Sequence, residues 1–185
     1  MNAESSYWPA CDPNQPPKSS SPPGYIFGHY CSQEYAEQLS ETLSVLGLCG
    51  SGQLEIRRRF LAQVAYETGY YSTLGQPADW GAGVIHMIPQ NWRPNVEDME
   101  AVFPGRGILA NYNARSTEAE RSAFFKEPQF AWKSAAAWMK RTNRVIPGCG
   151  KDLFYESYDE MTRCILAKVV DRSEALALVS KNIVS

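Results

Sequence analysis

The sequence predicts a mainly α-helical protein with a small irregular or β lobe. Six segments carry apolar residues at helical spacing, and all of them lie outside residues 68–113. Within residues 68–113 the periodicity breaks down among glycines, prolines and aromatic residues, which is typical of loops and short strands. Because loops on a rigid scaffold often carry functional side chains, we expect the functional site to involve this segment.

The first two predicted helices have clear ends. The first covers Ser32–Leu46 and stops at Gly47, a residue type that commonly terminates helices. Its apolar positions at helical spacing are Tyr35, Leu39, Leu43 and Leu46. The second, Gln53–Glu67, follows the turn-forming letters "CGSG". A single helical turn is expected at Val96–Val102, and longer helices are predicted over Thr117–Phe125, Pro128–Asn143, Lys151–Val170 and Ser173–Ile183.

Proline content divides the chain into two regions. Residues 1–24 hold 6 of the 12 prolines and predict an extended arm or linker without catalytic residues. Residues 25–185 are predicted to form one catalytic domain. A chain of 185 residues buries about two thirds of the surface that it exposes when unfolded, so it needs no cofactor for stability.

The charge balance argues against several classes of partner. The chain has 18 basic and 20 acidic residues, which leaves no general basic surface for nucleic acid or an anionic membrane. The longest basic run, Arg57–Arg59, is interpreted as the solvated flank of a helix. No stretch of about 18 apolar residues is present, so no membrane span is expected. We therefore expect a monomer that binds neither nucleic acid nor a membrane.

The cysteines favour disulfides over a metal site. Their spacing is not that of a zinc site, and only two histidines are present. The ends of the helix Ser32–Leu46 lie about 20 Å apart, so Cys31 and Cys49 should not bond each other. The expected bridges are Cys149 to Cys164, and Cys11 to one of the other two cysteines. Disulfides favour a secreted protein, which would have lost its leader because the N-terminus does not resemble a signal peptide.

Glu67 is the leading candidate for a catalytic residue. Phe60, Val64 and Glu67 follow one another at i, i+4 and i+7 on one helix face, with Leu61 beside them. Burial beside this apolar stripe and the negative end of the helix dipole both favour a protonated carboxyl, the form that a general acid needs. The alternative is that Glu67 simply ends the helix, facing solvent or pairing with an arginine.

Asp79 is the candidate second carboxylate. It lies twelve positions after Glu67, beyond a sharp turn expected at Gly69. A loop of that length can fold back and set Asp79 across a cleft from Glu67. Two carboxyl groups in unlike environments are the usual equipment for cleaving a glycosidic bond. Asp beside Gly is also common in ordinary turns, and this structural interpretation has equal weight.

Two motifs carry a resemblance to a known superfamily. "FLAQVAYETGYY" followed by "GAGVIHMIPQNW" resembles the signature of the lysozyme-like superfamily, in particular lytic transglycosylases and the chitinases of glycoside hydrolase family nineteen. The matching residues are Phe60–Glu67, Gly81–Trp92 and Phe130–Lys140, about a sixth of the chain. The mannanases of glycoside hydrolase family 134 resemble the order of an acid followed, a short loop later, by an aspartate.

The resemblance implies a lysozyme-like α+β fold, with a helical core and a small lobe that forms a cleft. It implies that Glu67 is the catalytic acid and that a strand through Val84–Met87 lines the cleft. Three positions depart from the chitinase pattern. Ala82 replaces the usual arginine between the glycines, His86 replaces the usual glutamine, and Tyr66 stands where a histidine is common.

The predicted substrate contacts combine aromatic faces with polar side chains, as sugar rings require. They are Tyr66, Tyr70, Trp80, His86, Gln90, Asn91 and Trp92. His86 could face the cleft by alternation with its neighbours, although a hydrogen-bonded structural histidine is the stronger interpretation. Trp132 and Trp138 are expected in the core, where the small residues Ala135–Ala137 allow close helix packing.

These residues lead to a primary hypothesis and to alternatives. The primary hypothesis is an endo-acting glycoside hydrolase for a β-1,4-linked polymer of N-acetylhexosamine, such as chitin or peptidoglycan. With Glu67 as acid and Asp79 as base, carboxyl groups about 6.5–9.5 Å apart would give inversion, whereas about 5 Å would imply a nucleophile and retention. If Asp79 points away from the cleft, a single-acid mechanism of the transglycosylase kind applies.

The alternatives keep different parts of this hypothesis. An endo-β-1,4-mannanase would share the fold and the pair of carboxylates. A non-catalytic carbohydrate-binding module would keep the fold without the chemistry, because fold alone does not settle activity. A helical interaction protein without a glycan role would bury both Trp80 and Trp92 and would have no groove past Glu67.

Overall fold

The computed structural model describes residues 33–69, 74–76, 80–141, 148–149, 152–166 and 171–182. The chain divides into two compact units. The first unit contains the residues up to Leu74 together with those from Arg172 onward, and the second contains Gly75–Asp171. The proline-rich arm over residues 1–24 lies outside the described residues, and the single catalytic domain over residues 25–185 stays a prediction.

Helices dominate the described residues, which confirms the mainly α fold class. They are α1 Gln33–Val45, α2 Leu54–Glu67, α3 Pro89–Val102, α4 Ile108–Asn113, α5 Glu118–Lys126, α6 Pro128–Arg141, α7 Tyr158–Leu166 and α8 Ser173–Asn182. Short 3₁₀ turns cover Ser51–Gln53 and Leu153–Tyr155. The β portion is a two-residue antiparallel ribbon of β1 Gly75–Gln76 and β2 Gly81–Ala82, in which Gly75 lies opposite Ala82.

Five predicted helices, corresponding to α1, α2, α5, α6 and α8, have ends within two residues of the observed ones. The prediction of a single helical turn at Val96–Val102 is wrong, because α3 is 14 residues long. It contains Pro94, which removes a backbone donor at a cost of about 3 kcal/mol. The side chains of Trp92, Val96 and Met99, buried on one face of α3, stabilise the helix in spite of that loss.

The continuous helix predicted over Lys151–Val170 is also wrong. The described part of this segment has a 3₁₀ turn and then a separate helix, α7. Asp152 accepts a hydrogen bond from the Phe154 backbone N–H at 3.2 Å, and the Ser157 hydroxyl accepts one from Glu160 N–H at 3.1 Å. Each side chain satisfies a backbone donor at the start of a new element, so local capping divides the segment.

In the first unit α2 packs against α8. Phe60, Leu61 and Val64 are buried on α2, as the apolar stripe predicted, and Ala175 and Val179 are buried on α8. Burying each large aliphatic or aromatic side chain contributes about 1.5–3 kcal/mol. Packing against α8 therefore fixes the position of α2.

The basic run at Arg57–Arg59 is not wholly a solvated flank. Arg57 is buried, and its guanidinium donates to the carbonyl oxygens of Leu48 and Gly50, each at 2.7 Å. These bonds tie α2 to the turn that follows α1. The sequence interpretation was therefore wrong for Arg57, because its side chain satisfies backbone acceptors in the preceding turn.

In the second unit α3 packs against α6. Trp132 and Trp138 are buried, as predicted, and the side chains of Ala135–Ala137 are fully buried. The Asn95 side chain on α3 donates to the Ser134 carbonyl oxygen on α6 at 3.0 Å. Small side chains thus let the two helices approach closely enough for a direct bond between a side chain and a backbone.

The disulfide Cys149–Cys164 is present, with Cα atoms 5.6 Å apart, which confirms that predicted bridge. Cys49 lies at the exposed surface, and both Cys11 and Cys31 lie outside the described residues, so the second predicted bridge stays a prediction. Within the described ranges, no helix is long and apolar enough to cross a membrane.

Candidate active site

The last two turns of α2 present three polar or aromatic side chains on one face. Gln63, Tyr66 and Glu67 stand at i, i+3 and i+4, the spacing at which helical side chains are neighbours. The helix ends directly after them. Thr68 donates its hydroxyl to the Val64 carbonyl oxygen at 2.7 Å, and Gly69 adopts φ +56°, which confirms the predicted turn.

A fourth side chain, that of Arg172, reaches this face of α2 from the start of α8. Arg172 directly precedes α8, and its carbonyl oxygen accepts a hydrogen bond from Leu176 N–H at 3.2 Å at the start of that helix. Its fully buried guanidinium donates through Nη2 to Glu67 Oε1 and through Nη1 to Gln63 Oε1, the latter at 2.5 Å. The Arg172 guanidinium carbon lies 4.2 Å from the centre of the Tyr66 ring.

The surroundings of Glu67 combine features of both sequence interpretations. Phe60 and Val64 are fully buried beneath it, as the apolar stripe predicted, and its own side chain is 13% exposed. Glu67 also pairs with an arginine, which was the stated alternative. The picture of a carboxyl surrounded only by apolar groups and the negative end of a helix is therefore wrong, because Arg172 places a positive charge there.

The pair leaves the two Glu67 oxygens in different situations. Oε1 is held by Arg172, whereas Oε2 forms no hydrogen bond among the described residues. A carboxyl group anchored through one oxygen has a restricted orientation and can still exchange a proton through the other. This arrangement can support general acid or base chemistry, provided that a ligand reaches Oε2.

The segment that resembles the family signature folds as a turn. The predicted strand over Val84–Met87 is wrong, because Gly83–His86 reverse the chain and Met87 pairs with Ala82 through hydrogen bonds of 2.8 and 3.1 Å. Gly83 has φ +78°, a left-handed conformation that favours glycine. A Cβ atom there would lie 2.7 Å from the Phe125 carbonyl oxygen, so close packing also requires glycine.

Trp92 belongs to the core of the second unit. Its side chain is 2% exposed, its Nε1 donates to the Met87 carbonyl oxygen at 2.7 Å, and its ring centre is 5.8 Å from that of Phe125. The expectation that Trp92 presents a flat face to sugar is therefore wrong. The neighbouring amides Gln90 and Asn91 suggested a sugar-binding surface, but Trp92 lies on the buried face of α3.

The other predicted substrate contacts occupy varied positions. Trp80 is 48% exposed and has φ +60°, a rare conformation for a bulky residue. His86 is half-buried with φ +48°, so the strand alternation used to orient it does not apply. In the first turn of α3, Gln90 is exposed and Asn91 half-buried. Asp79 and Tyr70 lie outside the described residues.

The structure thus brings predicted residues Tyr66 and Glu67 together with Gln63 and Arg172, which the sequence analysis did not identify. Gln63 could have been found, because it precedes Glu67 by one helical turn on the same face. Arg172 lies 105 positions from Glu67, and no local pattern connects them. Only the packing of α8 on α2 brings the two together.

Comparison with known proteins defines the class of fold. No protein-family model and no curated protein sequence matches the chain. Among solved structures, it is similar to the crystal structure of a mutant of chitinase C in which one glutamate is replaced by glutamine. The match has a TM-score of 0.55 and 15% sequence identity, and it covers 97% of this chain and 89% of the other. The protein therefore has a chitinase-like fold, which confirms the lysozyme-like prediction at the level of fold.

The buried ion pair is testable by substitution. Arg172→Gln should lower the free energy of unfolding by about 3–5 kcal/mol, because it removes one partner of the largely buried Arg172–Glu67 pair. Arg93→Gln is a matched control. Like Arg172, Arg93 donates to one carboxylate oxygen and one amide oxygen, those of Glu97 and Asn113. Because these groups are exposed, the loss of unfolding free energy in Arg93→Gln should stay below about 1 kcal/mol. Urea unfolding of both variants measures the difference, and equal losses would contradict it.

The tight turn at Gly83 gives a second prediction. Gly83→Ala should destabilise the protein by about 1–2 kcal/mol because residue 83 has a positive φ. The contact of the added Cβ atom with Phe125 should cost about 1 kcal/mol more. Gly105→Ala is the control, because Gly105 has φ +77° and nothing within 4 Å of the added atom. Thermal unfolding should show a larger loss for Gly83→Ala. A loss no larger than that of Gly105→Ala would show that the contact relaxes freely.

Proposed function

We propose that the protein is an endo-acting glycoside hydrolase that cleaves a β-1,4-linked polymer of N-acetylhexosamine, such as chitin or peptidoglycan. The observation that carries this proposal is the occurrence, within a chitinase-like fold, of a largely buried carboxyl group anchored by a buried arginine at the end of α2. The resemblance of the residues around Glu67 to the superfamily signature supports the same assignment.

Glu67 is the proposed general acid. In the reaction, Glu67 Oε2 donates a proton to the glycosidic oxygen as the bond from that oxygen to the anomeric carbon breaks, and the acid becomes a carboxylate. Arg172 holds Oε1 and stabilises the negative charge that appears on Glu67 during this step. Anchoring also reduces the number of orientations in which Oε2 points away from the substrate, which lowers the entropic part of the barrier.

Asp79 is the proposed base. It activates a water molecule on the face of the sugar opposite the leaving group and accepts the proton of that water. Its separation of twelve residues from Glu67, with a turn at Gly69, supports this role. The proposed reaction therefore inverts the configuration at the anomeric carbon.

The proposed location is outside the cell. The disulfide Cys149–Cys164 supports an oxidising compartment, and structural polysaccharides are substrates met in that environment. The exposed ring of Trp80 is a proposed stacking surface for one sugar unit, and Gln90 is a proposed polar contact.

A second candidate function is a glycan-binding module without catalysis. The observation in its favour is that Arg172 already occupies one Glu67 oxygen, an arrangement that also suits a purely structural ion pair. Ala82, fully buried at the position of the family's usual arginine, supports it further, because no charged side chain is available there for substrate. Such a module would bind insoluble chitin and release no reducing ends.

A panel of chitin, chitosan, peptidoglycan and β-1,4-mannan, assayed for new reducing ends, tests the proposal. We expect cleavage of an N-acetylhexosamine polymer and a loss of kcat on the order of 100-fold or more in Glu67→Gln, which cannot donate the proton. Glu97→Gln is the control, because Glu97 also pairs with an arginine but is exposed. Its activity should match the wild type.

Each other outcome has a defined meaning. Full activity of Glu67→Gln would remove Glu67 from the mechanism. Binding to chitin without reducing ends would favour the glycan-binding module, and cleavage of mannan alone would identify a mannanase.

The stereochemistry of the product tests the role of Asp79. Proton NMR of a β-linked oligosaccharide during cleavage should show the α-anomer first, because water attacks the face opposite the leaving group. Asp79→Asn should abolish cleavage while substrate binding is retained. Initial β-anomer would contradict inversion, and a 1,6-anhydro product would indicate the transglycosylase mechanism.

A further inference from the structure

We propose that Tyr66 is a positioning residue. Its ring packs against one face of the Arg172 guanidinium, prevents that group from tilting, and so fixes the direction of the Glu67 carboxyl group. For its catalytic consequence this inference rests on the proposed function, whereas the contact between Tyr66 and Arg172 can be tested without it. The starting observation is the distance of 4.2 Å between the guanidinium carbon and the centre of the Tyr66 ring.

The hydrogen bonds from Arg172 to Glu67 and Gln63 restrain the guanidinium in some directions more than in others. Its bonds to Glu67 and Gln63 extend from the edge of the group, so they restrain movement within its plane. A planar cation can still tilt out of that plane about the line joining the two bonds. An aromatic ring against one flat face opposes this tilt and is attracted to the positive charge.

The position of Tyr66 on α2 makes this contact independent of the core. Gln63, Tyr66 and Glu67 share one face of the helix, so a single element offers the guanidinium two acceptors and a ring. Tyr66 is nevertheless 40% exposed, unlike the buried side chains of Phe60 and Val64. Its loss should therefore leave the packing of α2 on α8 largely intact.

The ring also keeps water from one face of the ion pair. Arg172 is fully buried, and bonds between charged groups weaken when water competes for the donors. Removing the ring admits water beside the guanidinium and lets Glu67 Oε1 move with it. Since displacements of about 1 Å at a reacting group can cost about 100-fold in rate, a smaller loosening is expected to have a measurable effect.

Kinetics of Tyr66 variants test the proposal. Tyr66→Leu should lower kcat by about 10-fold and change KM by less than about two-fold, because the orientation of the acid changes and the substrate contacts do not. Tyr66→Phe should restore most of kcat, since the face of the ring acts and not the hydroxyl. A rise in KM at constant kcat would overturn the proposal and identify Tyr66 as a sugar-stacking residue.

Tyr155→Leu is the matched control. Tyr155 is 62% exposed and has the Lys140 ammonium group 5.9 Å from its ring centre, so it is also an exposed tyrosine beside a cation. It is not part of the Glu67 site, and its replacement should leave kcat and KM unchanged. An equal loss of kcat in both leucine variants would show a general effect of removing an exposed aromatic ring and would overturn the proposal.

A double-mutant cycle tests the contact itself, whether or not the protein cleaves a polymer. Tyr66→Leu should lower the urea midpoint less in an Arg172→Gln background than in the wild type, because the ring then has no cation to hold. Arg172→Lys, which lacks the planar group, replaces Arg172→Gln if that variant does not fold. Additive effects would overturn the positioning role. Coupling without any release of reducing ends would instead count against the proposed function alone.

Discussion

The arrangement at the end of α2 depends on the burial of one positive charge, that of Arg172. An isolated guanidinium without partners would be strongly destabilising in the interior, so its position requires acceptors at fixed places. Glu67 and Gln63 supply them from successive turns of one helix, and Tyr66 covers a face. The start of α8 and the end of α2 are thereby joined, and the direction of the Glu67 carboxyl group follows from the need to satisfy this charge.

The same interaction explains why one carboxyl group can have either of two roles. A structural pair needs only Glu67 Oε1, which Arg172 occupies. An acid needs a second oxygen that a substrate can reach and a countercharge that stabilises the carboxylate left after proton transfer. This geometry is compatible with both roles, so whether Glu67 acts as an acid depends on whether a substrate contacts its Oε2. The proposed ligand there is a glycan, and because fold alone does not settle activity, catalysis has to be measured.

Residues 82–92 make packing contacts where the sequence analysis expected a strand and substrate contacts. Ala82 is fully buried and bonds across to Met87, and Gly83 lies against the Phe125 backbone. Trp92 donates to the Met87 carbonyl oxygen and thus supports the turn from within the core. Ala82, Gly83 and Trp92 therefore serve packing, whereas the Trp80 side chain is exposed.

The sequence by itself determined the helical class, most helix ends, the apolar stripe below Glu67 and the disulfide Cys149–Cys164, because periodicity, turn residues and spacing are local properties. It did not predict the full length of α3, since burial of side chains there outweighs the cost of Pro94. The tertiary structure alone decided that Trp92 turns inward and that Arg172 meets Glu67. Contacts between residues 105 positions apart arise from the packing of whole helices, and no local pattern encodes them.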